Sequence, residues 1–267
     1  MIISIFGANG FIGSHIRKNL NKSIKVKKIN LRNIDFTIPQ KNILKILSHK
    51  IIKSDYVINC CASLKPVNAR DLFINSEIPH LIQKSITNLK KKPHLIHIST
   101  LNIFLNQRTD DYTLSKKKAE KKLLTKNTTI LRLPFIIKKN KNSGNLKILN
   151  KYLENNFIPI YPMINPGHIY SPIKINQLCL FINKILKSKK KKTYYNLIGR
   201  SKLSLWDMFE AIAKKKNKKI VMIKTNFLNR ISNFNQTNKF IRNNDFLSQL
   251  FSIDHSKFNK MIILTKL

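Results

Sequence analysis

The chain alternates between two hydrophobic periods. Met1-Ile2-Ile3-Ser4-Ile5-Phe6 is an almost unbroken apolar run, the pattern of a strand buried on both faces. After it, Phe11, Ile12, His15, Ile16 and Leu20 recur at helical spacing, and Ile24 to Leu31 reads as a second strand. The alternation continues. Gln40 to Leu47 presents Ile43, Leu44, Ile46 and Leu47 on one helical stripe, and Asp55 to Ala62 is again a buried strand. Leu72 to Leu89 predicts a helix, Pro93 to Thr100 a strand ending in hydroxyls, Thr113 to Leu124 a lysine-rich helix, and Thr129 to Ile137 a strand. Strands alternating with helices predict right-handed crossovers and an α/β fold, a doubly wound parallel sheet.

Beyond Lys138 the pattern changes. Lys138 to Asn145 is polar, Leu146 to Leu153 predicts a short helix, and Ile158 to Pro172 is punctuated by prolines, as suits a binding surface. Ile175 to Leu186 predicts a sheet-covering helix, Tyr194 to Ile198 the last strand, and Leu205 to Ala213 a further helix. The rest, through Phe227, Phe234, Phe246 and Phe251, reads as a small, mostly helical cap. The division expected is a dinucleotide-binding domain over 1–140, completed by 172–199, with a substrate cap from 141–171 and 200–267.

The turn between the first strand and first helix carries the first chemical signal. Gly7-Ala8-Asn9-Gly10-Phe11-Ile12-Gly13 places glycines where a turn is sharp and where a pyrophosphate must approach bare backbone, and the following helix offers its positive end to that anion. The spacing is G-x-x-G-x-x-G, so the strand–turn–helix–strand context carries the assignment as much as the glycines do. The second signal is Tyr112-Thr113-Leu114-Ser115-Lys116. At i and i+4 the phenol and the ammonium share a helix face, and a neighbouring cation favours phenolate, making Tyr112 a usable proton donor or acceptor. Ser99-Thr100, at a strand end, supplies a hydroxyl partner.

Composition adds bounds. The 267 residues are 42% hydrophobic, enough for a full core. Cys60, Cys61 and Cys179 have no metal-ligand spacing; adjacent Cys60 and Cys61 in a strand point to opposite faces, and free thiols in a reducing cytoplasm are expected. The amino-terminal run is interrupted by Gly7, Asn9 and Gly10 and has no basic leader, so no signal peptide is expected, and no apolar run reaches membrane-spanning length. A cytoplasmic protein without membrane attachment is the expectation.

Lys and Arg number 51 against 12 Asp and Glu, a formal net charge of +39. The lysines are spread along the chain, in runs at 90–92, 116–118, 189–192 and 214–216, and this favours solvated faces over specific nucleic-acid recognition. The field should still attract phosphorylated ligands at low salt.

Taken in order, the glycine turn, Asp35 after the second strand, Val57-Ile58-Asn59-Cys60-Cys61-Ala62, Ile98-Ser99-Thr100, Tyr112 with Lys116, and Leu131-Arg132-Leu133-Pro134 resemble the extended short-chain dehydrogenase/reductases, the NAD-dependent epimerase/dehydratase family. Ile34-Asp35-Phe36-Thr37 and Ile58 to Ala62 look most like its dTDP-4-dehydrorhamnose reductase branch. The resemblance implies a nicotinamide cofactor held by Gly7, Asn9, Gly10, Phe11, Ile12 and Gly13, with Asp35 near the adenine and Ala62 and Pro134 lining its channel. It implies that Thr100, Tyr112 and Lys116 are catalytic, and that the substrate is a nucleotide-linked sugar undergoing reduction or epimerisation. A homodimer is compatible with it.

The second strand ends Lys27-Lys28-Ile29-Asn30-Leu31-Arg32 without a carboxylate for the ribose hydroxyls, and Arg32 could pair with a 2′-phosphate. NADP(H) is therefore favoured, with NAD(H) as the alternative. The stretch between Thr100 and Tyr112 is short and lacks glycine, implying a trimmed substrate loop, while His168 and Tyr170 are further substrate-side candidates. Two other readings stay open: a reductase of another small carbonyl, and a catalytically weak dinucleotide-binding protein with an RNA-binding or assembly role.

Overall fold

The computed structural model describes residues 1–104, 109–123, 126–138 and 169–218, with strands at 160–162, 221–223 and 262–264. The chain begins β1 (Ile2–Phe6), α1 (Phe11–Asn19), β2 (Lys25–Ile29), α2 (Gln40–Ile51) and β3 (Tyr56–Asn59). It continues with α3 (Ala69–Ser76), α4 (Ile78–Thr87), β4 (His94–Thr100), a single 3-10 turn (Leu101–Phe104), α5 (Asp111–Lys122) and β5 (Thr128–Leu133). Then come β6 (Ile136–Ile137), β7 (Ile160–Pro162), β8 (Ile169–Tyr170), β9 (Ile173–Lys174), α6 (Ile175–Lys187) and β10 (Tyr194–Gly199). The described elements close with β11 (Leu203–Ser204), α7 (Leu205–Lys215), β12 (Val221–Ile223) and β13 (Ile262–Leu264).

The main sheet has the order β2-β1-β3-β4-β5-β10-β13, and every pairing in it is parallel. Alternation along each strand splits the core into two layers. Ile3, Ile5, Ile58, Ile96, Ile98, Leu131 and Leu133 pack with Ile16 of α1 and with Leu178, Ile182 and Ile185 of α6. On the other face Phe6, Val57, Leu95 and Ile130 pack with Ile43, Leu47 and Ile51 of α2 and with Ile78, Leu81, Ile82 and Ile86 of α4. Helices cover both faces, and the sheet is doubly wound as expected. The adjacent thiols divide the same way, Cys60 against the first layer and Cys61 against the second.

Three local expectations are revised. The helix predicted over Leu72 to Leu89 is two helices, because Pro79 in the first turn of α4 cannot donate to the preceding turn and Glu77 forms the joint. The strand predicted over Thr129 to Ile137 breaks at Pro134, and β6 leaves to pair with β9. Tyr194 to Ile198 is not the last strand: Ile262–Leu264, read from the sequence as part of the cap, pairs beside β10. The helix expected at Leu146 to Leu153, His168 and the four cap phenylalanines lie outside the described residues.

The topology fixes the site. From β1 the chain steps outward to β2, then returns to the other side of β1 as β3, so the strand order reverses between β1 and β3. In open parallel sheets a crevice forms at the carboxyl ends of such strands.

Candidate functional site

The glycine turn sits at that crevice. Gly7 has φ +72°, a left-handed conformation that side chains resist, and a Cβ there would lie 3.0 Å from the backbone of Cys60 and Cys61 at the exit of β3. Its carbonyl accepts from the Gly10 N–H at 3.0 Å, closing the turn. A Cβ on Gly13 would stand 2.3 Å from the Gly7 carbonyl oxygen, so only glycine lets α1 pack this closely on the turn. Gly10 caps α1 without a side-chain bond, and the first turn carries no carboxylate. The amino end of α1 thus keeps its positive partial charge beside bare backbone. Asn9 is exposed, while Phe11 and Ile12 pack their side chains on the core and offer only their amides to the turn.

Thr100 is the last residue of β4 and is buried; its Oγ1 accepts from the Asn102 N–H at 3.2 Å, which leaves its own proton for another acceptor. The opposite wall is α5. Asp110 caps it, accepting from the Thr113 N–H at 3.0 Å and from the Thr113 hydroxyl at 2.7 Å. This cap starts the helix where Tyr112 and Lys116 fall on consecutive turns of one face, Tyr112 half-buried and Lys116 1% exposed. Lys116 Nζ donates to the Ile98 carbonyl at 3.1 Å, tying α5 to β4 two residues before Thr100. Burial lowers its pKa to about 8, against the opposing influence of Cys61, Glu120 and Cys60. Burial also pushes the Cys61 thiol up to about 12 and Cys60 well above its ordinary range, so both are thiols near neutrality.

Two side chains to which the sequence assigns no role hold this wall. Glu120, one turn beyond Lys116, accepts from the Ser99 hydroxyl at 2.5 Å and pairs with Arg132 Nη2 at 2.7 Å. Arg132 lies over the rings of Phe104 at 4.8 Å and Tyr194 at 4.4 Å. The i, i+4, i+8 series Tyr112, Lys116, Glu120 was the available signal, masked by the lysine-rich surroundings. Next to it, Asn59 Nδ2 donates to His97 Nδ1 at 3.2 Å; His97 is fully buried, and burial keeps it neutral.

At the end of β2, Arg32 and Asp35 are exposed. Asp35 accepts from the Thr37 N–H at 2.8 Å and hydroxyl at 2.7 Å, which holds its carboxyl below the usual range and makes it the anchor of a local turn. Arg70 organises the same loop: Nη2 donates to the carbonyls of Leu31, Arg32 and Ile34, each at 3.1 Å, and the guanidinium lies 4.7 Å over Phe36. Ala62 is exposed at the exit of β3, and Pro134 is buried beyond β5. Tyr170, in β8, lies 6.1 Å from the Phe135 ring. Among the described residues no group of three or more His, Cys, Asp or Glu is arranged to hold a metal, and no helix is long and apolar enough to cross a membrane.

A doubly wound parallel sheet with a glycine turn at its switch point is a Rossmann-type fold, and it is the fold of the extended short-chain dehydrogenase/reductases. No protein-family model matches the sequence, and no curated protein matches it. Solved structures do. The dTDP-4-dehydrorhamnose reductase of Clostridium acetobutylicum ATCC 824 superposes with a TM-score of 0.68 at 18% identity, covering 84% of each chain. That of Bacillus anthracis str. Ames, in complex with NADP, gives 0.65 at 17% identity over 85% of this chain and 86% of that one. The Bordetella bronchiseptica enzyme WbmG, in complex with NAD and UDP, gives 0.66 at 14% identity over 84% and 81%. The likeness expected from the sequence holds at the level of fold.

Proposed function

We propose that the protein is an NAD(P)-dependent oxidoreductase or epimerase acting on a nucleotide-linked sugar. The observation that carries this reading is Lys116, a lysine buried in α5 and bonded to β4 beside the crevice, one turn after Tyr112 and facing the strand end that bears Thr100. A lysine buried to this degree is costly, and its position one helical turn after Tyr112 gives that burial a purpose.

In this reading the amides at the start of α1 and the turn from Gly7 to Gly13 hold the cofactor pyrophosphate, with Asn9 at the rim. Ala62 and Pro134 would line the cofactor channel, Asp35 would contact the adenine, and Arg32 would pair with a 2′-phosphate, favouring NADP(H) over NAD(H). The close Gly13 packing and uncapped helix start fit such a group. The cofactor supplies hydride exchange when bound. Thr100 hydrogen-bonds the reacting substrate oxygen through its hydroxyl and keeps its proton. Tyr112 gives a proton to that oxygen in reduction, or takes one in oxidation, and the Lys116 ammonium stabilises the phenolate. The dinucleotide-binding unit is read as residues 1–140 with 172–199 and the substrate cap as 141–171 and 200–267, less the edge strand β13; most of that cap lies outside the described residues. Net charge +39 suits a diphosphate-bearing substrate.

The test has two parts. NADPH, and more weakly NADH, should raise the melting temperature. Tyr112→Phe should then lower turnover on a nucleotide sugar by about 10²- to 10⁴-fold while dinucleotide binding persists. Turnover that survives the substitution refutes the catalytic role, and RNA binding with no turnover at all would favour the assembly-factor alternative.

A further inference from the structure

We propose that Glu120 is the built-in counter-charge of Lys116 and, through Ser99, the clamp on the strand end that carries Thr100. The inference deepens the reading above and rests on Lys116 serving Tyr112. Glu120 follows Lys116 by four residues, as Lys116 follows Tyr112, so the three side chains stand on successive turns of one face of α5.

Glu120 is only 9% exposed and is tied directly to two strands beyond its own helix, and through Arg132 to a third. Its Oε1 accepts from Ser99 Oγ of β4 at 2.5 Å, and its Oε2 accepts from Arg132 Nε at 3.0 Å and Nη2 at 2.7 Å on β5. Arg132 Nη1 in turn donates to Asn196 Oδ1 of β10 at 3.4 Å. The carboxylate therefore cannot swing away without breaking a buried ion pair. Ser99, gripped by it, is the covalent neighbour of Thr100, and the next carbonyl back, that of Ile98, is the Lys116 acceptor. One carboxylate thereby sets the spacing between the ammonium on α5 and the hydroxyl at the end of β4.

The groups facing Lys116 decide its charge. From the exit of β3 come Cys60 and Cys61, from β4 comes His97, and from its own helix come Tyr112 one turn before and Glu120 one turn after. The two thiols and His97 are held neutral by burial. Cys61, held as a neutral thiol by burial, exerts no pull on the ammonium near neutrality, which leaves Glu120, ion-paired with Arg132 one helical turn away, as the carboxylate that favours the charged form of Lys116. Its pull opposes burial and keeps the ammonium protonated in the neutral range.

The experiment is Glu120→Gln in the full chain, with the Lys116 titration followed by NMR of ¹³Cε-labelled lysine, the resonance being assigned with a Lys116→Met variant. The Lys116 midpoint should fall by about one pH unit or more, and the alkaline limb of the turnover profile should move down with it. A folded variant whose midpoint stays put, or whose turnover drops equally at every pH, overturns the proposal. If the single variant does not fold, the double variant Glu120→Gln with Arg132→Met removes the ion pair without orphaning the guanidinium and carries the same expectation. The NMR readout needs neither cofactor nor substrate. An absent dinucleotide response would count against the function proposed above, while the Lys116 midpoint would still decide the role of Glu120.

Discussion

Replacing Lys116 with methionine should stabilise the protein near neutral pH while abolishing the activity proposed for it. The side chain is fully buried, and its pKa falls from the ordinary lysine value of 10.5 to about 8, chiefly through burial. At about 1.4 kcal/mol per unit, the folded state carries a penalty of roughly 3 kcal/mol for keeping the ammonium charged. The sign follows from proton counting. Between pH 8 and 10.5 the unfolded chain holds the proton that the folded chain has released, so wild-type stability from this group rises with pH across that window. The penalty is complete below pH 8 and gone above 10.5. Against it stands the bond to the Ile98 carbonyl, which the variant loses, worth about 1 kcal/mol. Methionine, unbranched and of similar length, fills the space. The net gain at pH 7 is about 2 kcal/mol, or a melting temperature higher by about 4–8 °C for a chain of this size. Melting both proteins in parallel from pH 7 to about 10.5 cancels the titration of the exposed lysines they share. The gap should close as the pH rises and reverse at the top of the range. A variant no more stable at pH 7, or a gap independent of pH, would refute the claim that Lys116 is a charge buried at a cost.

The glycine turn separates fold from binding. Gly13→Ala drives a methyl group to 2.3 Å from the Gly7 carbonyl, so the backbone must move by about 1 Å, at about 3 kcal/mol, seen as a melting temperature lower by about 6–12 °C; wild-type stability would show that α1 does not pack as described. Gly10→Ala puts its methyl at 3.3 Å from the same oxygen on an extended backbone, and should leave stability within about 1 kcal/mol while weakening dinucleotide binding by about tenfold or more in a fluorescence titration. Arg70→Ala removes three carbonyl bonds and the Phe36 contact from a solvent-exposed position. It should cost only about 1 kcal/mol in stability but speed hydrogen exchange across residues 31–37, and unchanged exchange there would mean that the loop holds itself.

Much of the architecture was legible in the amino-acid sequence because local patterns encode it. Runs such as Ile2 to Phe6 and Tyr56 to Asn59 are apolar on both faces, and that requires a sheet covered on both sides. The intervening helices announce themselves by their stripes, and the glycine turn by the residue type its left-handed Gly7 and its crowded Gly13 demand. The pairing of Tyr112 with Lys116 was visible for the same reason, since helical spacing alone puts them on one face. Proline marks the breaks, yet an apolar stripe running through Pro79 conceals the joint between α3 and α4.

What the sequence could not decide is whatever depends on contacts between distant segments. That Lys116 is buried while its neighbours Lys117 and Lys118 reach the surface follows from the packing of α5 on β4, and no run of lysines reveals which one turns inward. Glu120 became a buried anion only when Arg132 and Ser99 arrived from two neighbouring strands. Arg70 acquired its role by reaching back to carbonyls more than thirty residues earlier. Periodicity follows from the geometry of a single helix or strand and is written locally, whereas burial and charge pairing are properties of the assembled sheet and exist only once its strands are in register.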